Sequence, residues 1–324
     1  MFKRLTKLLF VVILMNLFVI IPIFAFTEDK PKDAENYEMH LAQMRKEIQS
    51  HIVYLMIITP KREGRDAKAS ASGVVIFREN HQAENFMGEV IEYNRYYILT
   101  NPHVVGEKNG ELKRYKEDNV RIYVLGKNDR IRAQAEIVAW QWNSAALLLK
   151  VDIPKSESEY FKFQAAKIAD KLPISLYDSK YSDKNVNSVY LSGNPSGYPV
   201  INLGYVSTYI TDFNFNSYMN FTKAVAISAQ GWNGSGQSGA GVFNQNGELI
   251  AIIFGGLYSA SNLIYAVPID IIVERFLKKL PEFKDINLPN FELNAYIKYR
   301  RIYIDRPVDS TANQDNQKEN NSKK

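Results

Sequence analysis

The sequence contains no cysteine and has only four histidines among its 324 residues. The lack of cysteine excludes disulfide bonds, thiolate zinc sites, iron–sulfur clusters and a cysteine nucleophile. A histidine-rich metal centre is not expected either, and any imidazole that acts as a base must be one of four side chains. These are His40, His51, His81 and His103.

The net charge of the sequence is also small, at +5. Lys3, Arg4 and Lys7 supply three of the five net positive charges, and they lie in a segment that we expect to be removed. The two charges that remain give no reason to expect a nucleic-acid partner. With 46% hydrophobic and 23% charged residues, the composition is that of a globular protein and excludes wholesale disorder.

The first 25 residues have the pattern of an export signal. A basic start is followed by an apolar run, Leu8–Phe24, and by the small residue Ala25. We therefore predict a signal peptide over 1–25, cleaved after Ala25, and a periplasmic or secreted protein. The alternative is an uncleaved membrane anchor, because about 17 apolar residues lie at the lower limit for spanning a bilayer. In both cases the body of the protein lies outside the cytoplasm, and a membrane is a partner only if the segment is uncleaved.

The rest of the chain changes pattern three times. Residues 26–50 are predicted as a linker followed by a short helix over Tyr37–Ser50. From 51 to 268 many short β-branched and aromatic runs are separated by turn residues, which favours an all-β barrel or sandwich. Apolar residues at helical spacing predict a packing helix over 269–280. The extension 281–324 is poor in apolar residues and is predicted to be largely disordered.

Two segments carry residues that suit acyl chemistry. A strand ending at Thr100 is followed closely by His103, although a lone histidine is more often a core or surface residue. Further on, Gly236 and Gly239 flank Ser238 in a loop. Such a loop exposes the hydroxyl and turns the amides of Gly236 and Ser238 inward, as a tetrahedral oxyanion requires. A phosphate-binding loop is excluded because no Gly-Lys-Ser/Thr follows and the next element is a strand.

These segments, together with a strand pair over Ala135–Asp152, resemble the trypsin-like serine peptidases of the double-barrel fold. The similarity is greatest to the bacterial HtrA/Deg-type and glutamyl-endopeptidase-like members. It spans about 51–280, and we expect no PDZ domain beyond it. The family motifs TNAHVV, AIGNPFG and GNSGGP and the closing strand stand, in order, at Leu99–Val105, Leu191–Gly197, Gly236–Gly241 and Tyr265–Ile269.

The resemblance implies two six-stranded Greek-key β-barrels with a C-terminal packing helix. The two barrels and the helix would occupy about 51–155, 185–268 and 269–280. It also implies that His103 and Ser238 are the catalytic pair and that the backbone amides of Gly236 and Ser238 form the oxyanion hole. The expected partners are protein or peptide substrates, and no metal or cofactor is implied.

One position departs from the family pattern. Aligning the family's acid-bearing strand with Ala135–Asp152 places Ala145 where the catalytic aspartate belongs, and a slip of one residue places Ser144 there instead. The acid position is vacated in either alignment. Asn143 or Ser144 could accept the hydrogen bond of the histidine Nδ1 as a neutral orienting group. Two loop carboxylates are further candidates for that role: Asp118 and Asp129.

The S1 pocket, which receives the P1 residue before the cleaved bond, is expected to be lined by Asn233, Ile253 and Gly255. Glutamyl endopeptidases carry a histidine at the position of Ile253, and basic-specific members carry an acid in the stretch matching 231–236, where this sequence has none. We therefore predict an uncharged or apolar P1 residue. The alternative is that Ile253 is ordinary packing.

Three functions remain open. The first is an exported serine endopeptidase that works through a Ser–His pair, which is favoured because both residues are kept. The second is a catalytically degenerate peptidase fold that acts as a peptide-binding or scaffolding module, which is favoured by the missing acid. The third is an unrelated β-rich binding protein, which would require the motifs to be coincidence.

Overall fold

The computed structural model describes most of the chain between Lys32 and Phe291. The described residues are 32–60, 66–84, 87–106, 119–126, 131–173, 188–194, 198–214, 220–230, 236–256 and 262–291. Three groups of predictions lie outside them: the signal peptide, the residues Asp118, Asp129 and Asn233, and most of the C-terminal extension. The chain divides into two compact units, 1–44 and 45–324.

The first helix, α1, spans Lys32–Ser50 and begins before the predicted start at Tyr37. The stretch predicted as linker is therefore helical from Lys32 onwards. At the other end, the carbonyl of Ile48 accepts a hydrogen bond of 3.1 Å from the His51 N–H, and the chain passes directly into the first strand.

The first barrel is a closed antiparallel sheet of six strands in the order β1-β2-β3-β6-β5-β4, and β4 closes it by pairing with β1. The strands are β1 (Ile52–Thr59), β2 (Ala67–Glu84), β3 (Val90–Thr100), β4 (Arg121–Leu125), β5 (Arg132–Gln141) and β6 (Ala146–Pro154).

The second barrel is also closed and antiparallel, with the order β10-β11-β12-β9-β8-β7. Its strands are β7 (Ser188–Gly193), β8 (Val200–Asn214), β9 (Asn220–Ala229), β10 (Gly241–Phe243), β11 (Leu249–Gly256) and β12 (Leu263–Pro268). The predicted all-β fold with two six-stranded barrels is confirmed.

The C-terminal helix is shorter than the predicted 269–280. The helix α2 covers Ile269–Arg275 and ends because Phe276 leaves the helical dihedral angles, with φ −120° and ψ −67°. Two 3₁₀ turns follow, Leu277–Lys279 and Pro281–Phe283. The side chains of Phe276 and Leu277 are fully buried, so tertiary packing decides the path of the backbone here. Among the helices in the described residues, none is long and apolar enough to cross a membrane.

The hairpin of β2 and β3 is longer than the sequence predicts. Apolar runs indicate strands only over Gly73–Phe77 and Tyr96–Thr100, but the pairing continues outward until Glu84 lies opposite Val90. Side chains on the outer part of β2 alternate between half-buried and exposed. Polar residues therefore satisfy the strand period there without an apolar run.

The interior of the second barrel is filled by apolar side chains from all six of its strands. They include Val189, Leu191, Val206, Val225, Ile227, Val242, Ile253 and Ala266. This packing anchors β10 and β11, and the loop that enters β10 carries Ser238.

Candidate active site

His103 stands in a short turn at the buried end of β3. The strand ends at Thr100, and a 3₁₀ turn spans Pro102–Val105. Proline suits the first position of such a turn because its φ is already set and it needs no N–H partner. Gly106, with φ 85°, closes the turn by donating its N–H to the carbonyl of His103. The imidazole is therefore mounted on a rigid strand end.

Ser238 lies in a tight loop that is tied to β11. The Gly239 N–H donates to the carbonyl of Ile253 and the Ile253 N–H donates to that of Ala240, each at 2.9 Å. Gly239 has φ 84°, and a Cβ there would overlap the carbonyl oxygen of Ser72 and Oγ1 of Thr100. Only glycine allows the loop to approach the first barrel this closely.

The fold brings His103 and Ser238 together across 135 residues of sequence. His103 Nε2 lies 2.8 Å from Ser238 Oγ. When the hydroxyl donates this bond, Nε2 is the acceptor, and the ring proton of the neutral imidazole is then on Nδ1. This is the arrangement in which a histidine can take the proton of a serine nucleophile.

Burial lowers the pKa of His103 to about 4. Removing the imidazole from water disfavours its charged form, and no carboxylate among the described residues opposes that effect. The ring is therefore neutral at pH 7, as a base must be. An imidazolium at this position would be poorly stabilised by its buried surroundings, which makes His103 a weak base.

The predicted acid position holds no acid. Ala145 is 1% exposed and ends the 3₁₀ turn Trp142–Ser144 in a left-handed conformation, with φ 44° and ψ 33°. Within the part of the chain that the structure describes, His103 Nδ1 is buried and has no hydrogen-bond partner. No carboxylate of these residues is therefore hydrogen-bonded to the imidazole.

Neither predicted neutral orienter bonds to the imidazole in the described structure. The Ser144 hydroxyl is directed to Oε1 of Gln141 instead. Asn143 is half-buried, and none of the hydrogen bonds of the described residues joins it to His103. Their orienting role therefore stays a prediction, as does that of the two loop aspartates.

Asn101 was part of the histidine motif but received no role from the sequence. Its side chain is fully buried, and Nδ2 donates a 2.9 Å hydrogen bond to the carbonyl of Ala145. Its Oδ1 is buried without a partner among the described residues. A polar residue between an apolar strand and a candidate base is the sequence signal that could have drawn attention to it.

The residues predicted for the S1 pocket are only partly placed. Asn233 lies outside the described residues. Ile253 is 2% exposed and belongs to the core of the second barrel. Gly255 is half-buried. The register of the pairing between β11 and β12 shifts between Ile253 and Gly255. The composition of the pocket stays a prediction.

The comparisons with known proteins concern the family and the fold of the chain. The family model described as a trypsin-like peptidase domain matches residues 71–252, more than half of the chain. The crystal structure of Deg5 is similar at 16% identity and a TM-score of 0.50, covering 80% of this chain and 99% of Deg5.

Two further solved structures are similar to the chain. One is the Rv3671c protease from M. tuberculosis in its active form, at 14% identity and a TM-score of 0.47, covering 78% of this chain and 86% of that one. The other is the HtrA-type protease AlgW with a tripeptide, at 15% identity and a TM-score of 0.49, covering 76% and 72%. No curated protein matches the sequence.

Proposed function

Because the chain belongs to the trypsin-like peptidase family, we propose that it is an exported serine endopeptidase that acts through Ser238 and His103. The observation that carries the proposal is the 2.8 Å contact between His103 Nε2 and Ser238 Oγ. A fluorophosphonate probe tests it, because such probes react with an activated serine. Labelling of the purified protein at Ser238 is the expected result.

The first half of the reaction forms an acyl-enzyme. Ser238 Oγ attacks the carbonyl carbon of the cleaved peptide bond while its proton passes to His103 Nε2. The carbonyl oxygen becomes an oxyanion, which the backbone N–H groups of Gly236 and Ser238 receive. The imidazolium then gives its proton to the leaving amine as the C–N bond breaks.

The second half releases the acid. His103 takes a proton from a water molecule, whose oxygen attacks the ester carbonyl. The tetrahedral intermediate collapses, and the proton on Nε2 returns to Ser238 Oγ as the ester bond breaks. Neither half requires an aspartate as a proton carrier, because the family's aspartate only orients the histidine and stabilises its charged form.

The pH dependence of kcat/KM is expected to have its acid limb at about pH 4. His103 must be neutral to act as a base, and burial holds its pKa at about 4 instead of 6.5. Activity should therefore rise as the pH passes through about 4 and be level by pH 6.5. A limb centred near 6.5 would contradict this, because it would require a group that stabilises the imidazolium.

Folding stability is expected to fall over the same acid range. Burial lowers the pKa of both His51 and His103. Their contribution is fully present above the unfolded pKa of about 6.5, and it is lost as the pH falls toward the folded-state pKa. Thermal melts between pH 7 and pH 4 separate this loss of structure from the loss of the base.

Substrates are proposed to carry an uncharged or apolar P1 residue. The support is the absence of a histidine at position 253 and of acidic residues from 231–236 in the sequence. Digestion of a peptide library should give cleavage mainly after uncharged residues. Dominant cleavage after Glu, Lys or Arg would contradict the proposal.

Export is proposed from the amino-terminal pattern. The support is the basic start, the apolar run Leu8–Phe24 and the small residue Ala25, which together are typical of a signal peptide. The mature chain should begin near Phe26, and mass spectrometry of the exported protein measures this. Recovery of a peptide that starts at Met1 from a membrane fraction would indicate an anchor instead.

A second function is favoured by one observation. Within the described residues, His103 Nδ1 has no partner, and a peptidase fold without an oriented base can serve as a peptide-binding or scaffolding module. Such a protein would bind peptides without cleaving them and would leave the fluorophosphonate probe unreacted. The probe therefore separates the two functions.

A further inference from the structure

Ser72 makes four hydrogen bonds, which link β2 to the serine loop and to the ends of β7 and β3. It lies on the inner part of β2 and is fully buried. Its N–H donates to the carbonyl of Ser238 at 2.9 Å, and its hydroxyl donates to the carbonyl of Gly236 at 2.7 Å. The same hydroxyl oxygen accepts from the Asn194 N–H at 2.8 Å, and the Ser72 carbonyl accepts from Thr100 Oγ1 at 2.7 Å.

Only the two hydroxyl bonds depend on the side chain. The backbone groups of any residue at this position can bond to Ser238 and Thr100 in the same way. The hydroxyl alone bonds to Gly236, which lies 164 positions away in the sequence. The serine side chain therefore supplies a contact that the pairing of the strands does not provide.

The carbonyl of Gly236 is a sensitive point of the loop. Gly236 has φ 97°, and glycine in this region can rotate with little steric resistance. The planar peptide unit that holds its carbonyl also holds the N–H of Gln237, and this unit lies between the two proposed oxyanion donors. The next carbonyl, that of Gln237, is held by the Ala240 N–H at 2.9 Å, and the Ser238 carbonyl is held by Ser72.

We propose that Ser72 is a positioning residue whose hydroxyl holds the oxyanion loop in its catalytic conformation. The inference rests on the proposed function. Three successive carbonyls of the loop accept hydrogen bonds, and Ser72 donates to the first, that of Gly236, and to the third, that of Ser238. Without the bond to Gly236, the glycine peptide regains its rotational freedom, and the donors are no longer preorganised for the oxyanion.

The surroundings of Ser72 are shaped for this contact. A Cβ at Gly193 would come within 2.9 Å of Ser72 Oγ and within 2.7 Å of the Cβ of Ala240. Glycine at 193 thus lets the end of β7 approach so that the following N–H reaches the hydroxyl. The hydroxyl is both a donor and an acceptor, and both capacities are used.

Replacing Ser72 by alanine removes both hydroxyl bonds and keeps the two backbone bonds. We expect kcat/KM to fall by about 10- to 100-fold, less than the 10²–10³ lost when an oxyanion donor itself is removed. KM should change less than about 3-fold, because the interaction is made in the transition state. The affinity for a peptide boronic acid, which forms a tetrahedral adduct with the serine, should fall in parallel with kcat/KM.

Two further variants make the result decisive. Ser72→Cys keeps the side chain close in size and offers a weaker donor, so its activity should lie between those of wild type and Ser72→Ala. Tyr209→Phe is the matched control, because it deletes a hydroxyl whose 2.8 Å hydrogen bond goes to the carbonyl of Pro173 and not to the described residues of the loop. It should lower the melting temperature while leaving kcat/KM within 2-fold of wild type. Circular dichroism checks that each variant is folded.

The outcomes distinguish this inference from the proposed function. If wild type neither hydrolyses peptides nor reacts with the probe, the proposed function fails and the role of Ser72 fails with it. If wild type is active and Ser72→Ala matches it, only the role of Ser72 is overturned. The role is also overturned if activity falls while boronic acid affinity does not, or if Ser72→Cys loses as much as Ser72→Ala.

Discussion

Replacing Ser238 with alanine is expected to lower kcat/KM by only about 10²-fold. In a peptidase with a complete triad, losing the nucleophile lowers kcat by a factor of about 2 × 10⁶, and losing the acid alone lowers it by a factor of about 3 × 10⁴. This chain has alanine at the predicted acid position, and His103 Nδ1 has no partner among the described residues. If no other group replaces the acid, the larger part of the triad's effect is already absent, and a factor of about 10² remains to be lost.

His103→Ala should have the same effect as Ser238→Ala, and the double variant should lose nothing more. The two residues act as one unit, so their effects are not additive. The measurements are kcat/KM for the best library peptide and the rate of fluorophosphonate labelling, which should vanish in Ser238→Ala. A loss near 10⁶ would mean that an acid outside the described residues completes the triad. A folded wild type that never reacts would favour the binding module.

The strands could be predicted because their signals are local. Short β-branched runs indicate the inner part of each strand, but they leave a barrel and a sandwich open, and only the resemblance to the peptidase family predicts two barrels. The outer halves of β2 and β3 could not be predicted, because they contain polar residues such as Glu84 and lack the alternating apolar residues that indicate a strand. The end of α2 at Phe276 depends on burial of that ring, which only the assembled fold decides.

The candidate site was predictable only as far as residue type and motif reach. His103 and Ser238 lie together, as the resemblance to the peptidase family implies, because the motifs that carry them are identifiable in the sequence. The roles of Ser72 and Asn101 could not be read in advance. Ser72 directly precedes the apolar run Gly73–Phe77, which indicates only a strand, and its bond to Gly236 crosses 164 positions. Asn101 makes its contact to the carbonyl of Ala145, a backbone group that leaves no trace in the sequence.

Ala145 is the position at which a single substitution is expected to raise activity. Its left-handed backbone, with φ 44°, is adopted more readily by Asp and Asn than by alanine. An aspartate is therefore compatible with the local conformation. The Asn101 side chain bonds to the backbone carbonyl of Ala145, and a new side chain does not remove that bond.

We expect Ala145→Asp to raise kcat by about 10²- to 10⁴-fold, because a carboxylate bonded to His103 Nδ1 fixes the tautomer and stabilises the imidazolium. The acid limb of the pH profile should move upward from about pH 4, since a nearby negative charge raises the pKa of a histidine. This second readout separates a carboxylate that reaches the imidazole from one that only changes the fold. A carboxylate that misses the ring would be a buried, unpaired charge and would lower the melting temperature.

Two variants control the interpretation of Ala145→Asp. Ala145→Asn has the same shape without the charge, so it should relieve the backbone strain and leave the pH limb near 4. Ser144→Asp tests the alignment that is shifted by one residue, and a gain in this variant alone would place the acid position there. If the aspartate variants are folded and neither gains activity nor moves the pH limb, the acid was not lost from this strand. In that case His103 is held by a group outside the described residues, and the explanation for its weak basicity is wrong.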